Sequence, residues 1–427
     1  MRAMVVLLVV ALAMPLSSAP ERAIVAAVDA GNGEALTLLQ TAVEINSGTH
    51  NFAGVRAVGD LFRKEFDALG FKTSWVDGAP FKRAGHLIAD HPGSGPRIIL
   101  IGHLDTVFEK DSVFQRYQVM DERLARGPGI IDMKGGDVII IAALKALKKA
   151  GALDPMNVIV VMTGDEEDAG DPQALARAAL VNAARGAKYA LGFEDGPGDP
   201  KFAVTARRGT SSWKLEVRAK SGHSSQIFRE EMGYGANYEL ARIIDGFRQK
   251  LAGEEHLTFN PSLILGGTSL DLDDVLAKGA ASGKTNVIAE RAVAIGDLRT
   301  LSKQQLEHAR GVMKQVMVEA PLGHTEASLT FAEGYPSLPP TEGNAKLLAE
   351  YDRASRDVGA GPVTAVSPDR AGAADVSFIS DQVPNIIDGI GLMGRDDHSP
   401  DEIADLATLP SQTKRAAVLL YRLTTGK

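Results

Sequence analysis

Hydrophobic and polar positions divide this chain into stretches of two kinds. Residues 97–101 (RIILI) and 158–162 (VIVVM) are short, unbroken apolar runs, the signature of strands buried on both faces in a parallel sheet. Residues 189–193 read as a third such strand. Between and around them lie helix-period stretches at 21–43, 51–69, 134–150 and 172–184, with Gly70 where a helix would end in the left-handed conformation. Strand and helix in alternation predict an α/β domain with a mostly parallel sheet.

From about Arg208 the pattern changes. Residues 212–218 (SWKLEVR) alternate as a half-buried strand does. A helix is expected over 235–250, strands over 262–265 and 292–298, and a helix over 303–319. This is the order of a small α+β module with an exposed sheet. A further helix near 344–358 returns the chain to α/β character. The expected organisation is residues 20–207 and 332–427 as one α/β domain, interrupted by a module over 208–331. There are no internal repeats and no low-complexity linker.

Length agrees, since 427 residues exceed one ordinary core. With 44% hydrophobic and 23% charged residues the composition is that of a soluble globular chain. The net charge of −8 argues against nucleic acid or an anionic membrane surface as partner, both of which call for basic patches. The absence of cysteine removes disulfides, thiolate ligands and a cysteine nucleophile, so a metal site here must use His, Asp and Glu. Arg2 followed by the apolar run of residues 4–14 and the small residues Ser17, Ser18 and Ala19 forms a signal-peptide pattern over residues 1–19. That run is too short for a stable membrane anchor. Export to the periplasm or the medium is therefore expected.

Chemistry-bearing groups recur just after the predicted strands. GHLDT carries His103 and Asp105; GPGIIDMKGG carries Asp132; TGDEEDAG carries Asp165, Glu166, Glu167 and Asp168; GFEDG carries Glu194 and Asp195; and RDDHSPDE adds His398. In parallel α/β sheets, sites form beyond the carboxyl ends of the strands. Two histidines with several carboxylates suit Zn²⁺ with an open water position. Two metals about 3.5–4 Å apart need one bridging carboxylate and together activate water and polarise a carbonyl. Asp105 is placed to orient the His103 ring, and the Glu166–Glu167 doublet to divide ligand and base roles. Alone, each cluster also suits a structural polar network or a solvated helix start. The Gly-rich stretch 127–136 lacks the Lys-Ser/Thr pair of a phosphate loop and the dinucleotide spacing.

The ordered set GHLDTV, GPGIIDMKGG, TGDEE, GFE and a late DHS resembles the di-zinc exopeptidases, the group of aminoacylase, glutamate carboxypeptidase, acetylornithine deacetylase and succinyl-diaminopimelate desuccinylase. The resemblance spans nearly all of the chain after the signal pattern. It implies two Zn²⁺ per chain, with another divalent metal such as Co²⁺ as the alternative. Asp132 would bridge the metals, His103 and Glu194 would complete one site, and Glu167 and His398 the other. Glu166 would be the general base and Asp105 the orienter of His103. A cis peptide is implied between Asp132 and Met133. The module 208–331 would be a lid and dimerisation domain. In it His223, in SGHSS, would stabilise the oxyanion, and Asn286 and Arg299, in KTNVIAERAVAIGDLR, would contact substrate.

Three segments differ from the family pattern. The turn before His223 reads AKSGHS, the late Gly-rich loop reads RAGAAD in DRAGAADVSF, and AEGYPS carries no basic residue, so specificity for glutamate is not implied. The expectation is an exported hydrolase cleaving an amide beside a free carboxylate in a small peptide or N-acyl amino acid, working as a homodimer. A catalytically inactive binding protein on the same fold is the alternative. Loss of Glu166 or of a ligand would point to it, and none is lost.

Overall fold

The computed structural model describes residues 18–273 and 277–426. Most of the signal-like segment lies outside the described residues. Ser18 caps helix α1 (Ala19–Val43) in a capping box with Glu21. Among the described residues no helix is long and apolar enough to cross a membrane.

The chain forms two compact units. The first comprises the described residues up to Thr205 together with Pro340–Val366 and the described residues from Phe378 on; the second is Ala206–Pro339 with Ser367–Ser377. Sequence placed the whole of 332–427 in the first domain. The units differ from that expectation at Ala206 and Arg207, at 332–339 and at Ser367–Ser377, which carries the RAGAAD loop and no periodic signal of its own.

The first unit is built on a six-stranded sheet. Its strands are β1 (Lys72–Asp77), β2 (Gly85–His91), β3 (Arg97–His103), β4 (Asn157–Thr163), β5 (Tyr189–Gly192) and the short strand Ile386–Ile387. The order is β1-β2-β4-β3-β5 and then Ile386–Ile387. β4, β3, β5 and the last strand run parallel, and β1 and β2 join antiparallel at one edge. β3 and β4 are buried from their second residue on, which explains their unbroken apolar runs. β1, with burial that varies along KTSWVD, had no such run and was not foreseen.

Helix α2 (Phe52–Leu69) ends on Gly70 at φ 90°, the left-handed cap its position required. Helix α3 (Gly135–Lys149) carries buried Val138, Ile139, Ile140, Ile141, Leu144 and Leu147 over most of its circumference, and only Lys148 and Lys149 at its end are exposed. It packs against α1 and the C-terminal helix Thr408–Thr425. Helix α4 (Gln173–Ala183) follows β4.

The second unit is an antiparallel sheet with helices packed on it. Strands β6 (Gly209–Ala219), β7 (Thr258–Gly267), β8 (Arg291–Thr300) and β9 (Thr325–Glu333) lie in the order β7-β8-β6-β9. Trp213, Leu215 and Val217 of β6 meet Leu240, Ile243 and Phe247 of α5 (Ala236–Leu251) and Met313 of α6 (Lys303–Val318) in one core. β9 and the hairpin Ser269–Asp273/Lys278–Ser282 are additions to the expected module. β9 does alternate (TEASLTFAE), but at half-buried positions rich in Thr and Glu.

Candidate metal centre

All the chemistry-bearing groups expected of the first unit end on its strand termini or in the turns beside them. His103 is the last residue of β3. Glu166 and Glu167 follow β4 by three and four residues, and Glu194 follows β5 by two. Asp132 sits in the tight turn Ile130–Lys134 that opens α3, with non-helical angles at Asp132 (φ −116°, ψ 90°) and Gly129 left-handed at φ 69°. The Asp132–Met133 peptide is cis. Gly136 permits this turn to lie against β5: a Cβ there would fall 1.9 Å from the Phe193 carbonyl oxygen. His398 adopts φ 55° in the loop before the short strand Ile403–Asp405.

Asp132 is the centre of the arrangement. Its Oδ1 lies 3.0 Å from His103 Nε2 and its Oδ2 lies 2.8 Å from His398 Nε2, so each oxygen faces a different imidazole. Glu194 Oε1 stands 3.5 Å from the same His103 nitrogen, and Glu167 Oε2 stands 3.1 Å from His398 Nε2. His103 and Asp132 are buried, while the His398 side chain is 54% exposed.

The donor set fits cations. Three carboxylates converge on two imidazoles, and Glu167 Oε1 is buried without a hydrogen-bond partner. Burial opposes charge on His103, but the surrounding Glu194, Asp105 and Asp132 carboxylates outweigh it and hold the ring well above its ordinary value. Hydrogen bonds to Asp132 and Glu167 push His398 up to about 11. Burial, reinforced by the Asp132 charge, raises Glu167 to about 7, and burial raises Glu194. Burial also opposes ionisation of Asp132, yet its bonds to both imidazoles hold it well below the usual carboxylate range. The cluster thus demands positive charge on either side of Asp132. The donor atoms of His103, Asp132 and Glu194 all lie within 4.8 Å of one another, as do those of Asp132, Asp397 and His398. Of Asp397 and Glu167, the latter is the better partner for His398, being enclosed and carrying the orphan oxygen, whereas Asp397 is exposed.

Asp105 differs in detail from expectation. Its main-chain carbonyl lies 3.0 Å from His103 Nδ1, whereas its carboxylate is 3.5 Å from that nitrogen. The carboxylate instead accepts the backbone N–H groups of Glu166 (3.0 Å) and Glu167 (3.2 Å) and the hydroxyl of Thr49 (2.7 Å). Thr49 went unnoticed in the sequence because its loop follows no predicted strand. Asp397 stood within a quoted motif but next to the more conspicuous His398.

His223, Asn286 and Arg299 lie in the second unit. The first two adjoin: residue 223 bridges to Val287, and Ser224 N–H donates to the Asn286 carbonyl at 2.9 Å. His223 Nδ1 takes the Ser225 hydroxyl at 2.8 Å. Arg299 is not brought to them. It lies at the opposite end of β8 and donates to Asp297 at 3.1 Å.

A parallel-centred α/β sheet with a five-residue His/Asp/Glu cluster at its carboxyl end defines a metallohydrolase type of site. Residues 99–422 match peptidase family M20/M25/M40, and the chain belongs to that family. It is accordingly a hydrolase acting on amide bonds. Carboxypeptidase G2 of Pseudomonas sp. (strain RS-16) is 24% identical over 392 residues, covering 91% of this chain and 89% of that one. A succinyl-diaminopimelate desuccinylase of Bradyrhizobium sp. (strain ORS 278) is 26% identical over 401 residues, with 89% and 97% covered. The solved structure of Bacillus subtilis YXEP protein, described as a dinuclear metal-binding peptidase of the M20 family, superposes with a TM-score of 0.64 at 17% identity, covering 93% of this chain and 99% of that one.

Proposed function

We propose that this chain is an exported dinuclear metallohydrolase that cleaves the amide bond of a small peptide or N-acyl amino acid beside a free carboxylate. The observation that carries it is Asp132, whose two oxygens face His103 and His398 separately at 3.0 and 2.8 Å. One carboxylate so placed can serve two ions at once. His103, Asp132 and Glu194 would hold one, and Asp132, Glu167 and His398 the other, with Zn²⁺ favoured by the mixed nitrogen and oxygen donors. The solved YXEP relative, described as dinuclear, supports that count. Bound divalent ions at such a site polarise the substrate carbonyl and ease deprotonation of water.

The chain's own groups do the rest. Glu166 takes the proton of the attacking water and returns it to the leaving nitrogen, so one carboxylate serves as base and then as acid. Asp105 holds the backbone of Glu166 and Glu167 in register with the cluster. His223 supplies a donor to the carbonyl oxygen as negative charge grows there. Relatives named as a carboxypeptidase and a desuccinylase support an amide substrate. The signal-like residues 1–19 support export, and a mature chain in the periplasmic or culture fraction is the expected result.

Metal analysis paired with a substrate panel tests the reading. Purified protein should contain two divalent ions per chain and hydrolyse members of a set of dipeptides and N-acyl amino acids. A metal-replete protein inert to the whole panel would overturn the substrate class, and a protein that takes up one ion or none would overturn the site.

A further inference from the structure

Four residues beyond His398, Glu402 is fully buried. Its carboxylate points into the turn that carries Asp132. Oε1 accepts the backbone N–H of Ile131 at 2.9 Å and that of Asp132 at 3.3 Å, and Oε2 accepts the N–H of Gly129 at 2.9 Å. Its own carbonyl accepts Gly127 N–H at 3.4 Å, and the next residue, Ile403, pairs with Arg126. The segment following His398 therefore grips the segment preceding Asp132 through a strand pair and a buried carboxylate.

We infer that Glu402 is a positioning residue that sets Asp132 between the two imidazoles and thereby tunes the affinity of both metal sites. The inference rests on the metal reading above. Three N–H groups converging within one turn form a concave receptor for an acceptor group, filled here by the chain's own carboxyl side chain. Asp132 and Met133 lie outside helical geometry, and the turn's own backbone bonds join Lys134 to Gly129 and Gly135 to Ile130, leaving the N–H groups of Gly129, Ile131 and Asp132 to Glu402. Only a group that accepts at both ends satisfies all three donors. Neutral glutamine cannot, since whichever way its amide turns, an NH₂ end meets a backbone N–H. Groups that support metal ligands from behind commonly govern affinity by about 10–100-fold.

The test compares wild type, Glu402→Gln and Glu402→Ala for Zn²⁺ affinity by competition with a chromophoric chelator. The unfolding midpoint of each metal-free protein and the separate kcat and KM values complete the comparison. Glu402→Ala should bind Zn²⁺ about 10–100-fold more weakly. Glu402→Gln should fall between it and wild type, with kcat reduced and KM little changed when metal is saturating. A purely structural role would lower the metal-free unfolding midpoint and leave both affinities at wild-type values; that result overturns the inference. If Glu402→Ala does not fold, Glu402→Gln decides on the same readouts. A wild-type chain that binds no divalent ion would overturn the metal reading and this inference together, whereas normal wild-type binding with unaffected variants overturns this inference alone.

Discussion

The carboxylate of Asp105 accepts the backbone N–H of Glu166 at 3.0 Å, while its distance to the His103 ring is 3.5 Å. The ring instead has the Asp105 main-chain carbonyl at 3.0 Å, so the aspartate side chain serves the acid doublet and its backbone serves the imidazole. Asp105→Asn should then leave the metals in place and disturb the loop that holds Glu166. The expected loss is about 10–100-fold in kcat with two ions retained. A variant that loses metal in proportion to rate would show that the side chain serves the ring after all.

The doublet itself divides. Glu167 Oε2 lies 3.1 Å from His398, and its other oxygen is buried without a partner. Glu166 takes its place in the loop through a backbone bond to Asp105. Glu166→Gln should keep both metals and lose about 10²–10⁴ in kcat, the usual worth of a positioned proton acceptor. Glu167→Gln should weaken one metal site as well. Two variants that bind metal alike and differ little in rate would refute the division.

Asp132→Ala should release both ions, because the same carboxylate faces both imidazoles. In wild type, a chelator should abolish hydrolysis until metal is restored. Titration of the alanine variant with Zn²⁺ checks the first point, and two tightly held ions would refute the bridging role.

Much of this site was legible because strand-end chemistry is written locally. β3 and β4 are buried along nearly their whole length, so their apolar runs mark their ends to within a residue or two, and His103 stands at one end and Glu166 three residues past the other. What joins the pieces is not local. Glu402 and the turn it holds are about 270 residues apart in sequence, and Thr49 lies 56 residues from Asp105, so no periodicity could pair them. β1, β9 and the 269–282 hairpin escaped for another reason: half-exposed strands with Thr, Ser and Glu carry little apolar contrast.

A stability prediction follows from Asp165, the residue before the doublet. Arg177 donates to its carboxylate at 2.5 Å and to its carbonyl at 3.0 Å, with both side chains almost wholly enclosed. Removing one partner of such a pair strands the other charge in a poorly hydrated place. Arg177→Met should destabilise the first unit by about 3–5 kcal/mol, read from denaturant unfolding. The loop carrying Glu166 should loosen with it. An unchanged unfolding midpoint would mean that Asp165 is compensated by other groups.

The last prediction concerns His223, which belongs to the second unit, whereas the proposed metal ligands belong to the first. We propose that this imidazole serves the partner's site, across a dimer made by the sheet of the second unit. β7 is an outer strand of that sheet, and its Ile264 is 53% exposed, a surface suited to pairing. His223→Ala should fold, dimerise and hold two metals, yet lose about 10²–10³ in rate, the usual cost of one oxyanion donor. Mixing decides where the histidine acts. Asp132→Ala supplies an intact His223 on a chain without a working metal centre, and His223→Ala supplies the reverse. If the imidazole crosses between subunits, exchanged dimers contain one complete site and recover part of the wild-type rate. If it acts within its own chain, both chains in the mixed dimer are defective and mixing restores nothing. Sedimentation should show a dimer for each variant before mixing. Full activity of His223→Ala by itself would remove the histidine from the mechanism.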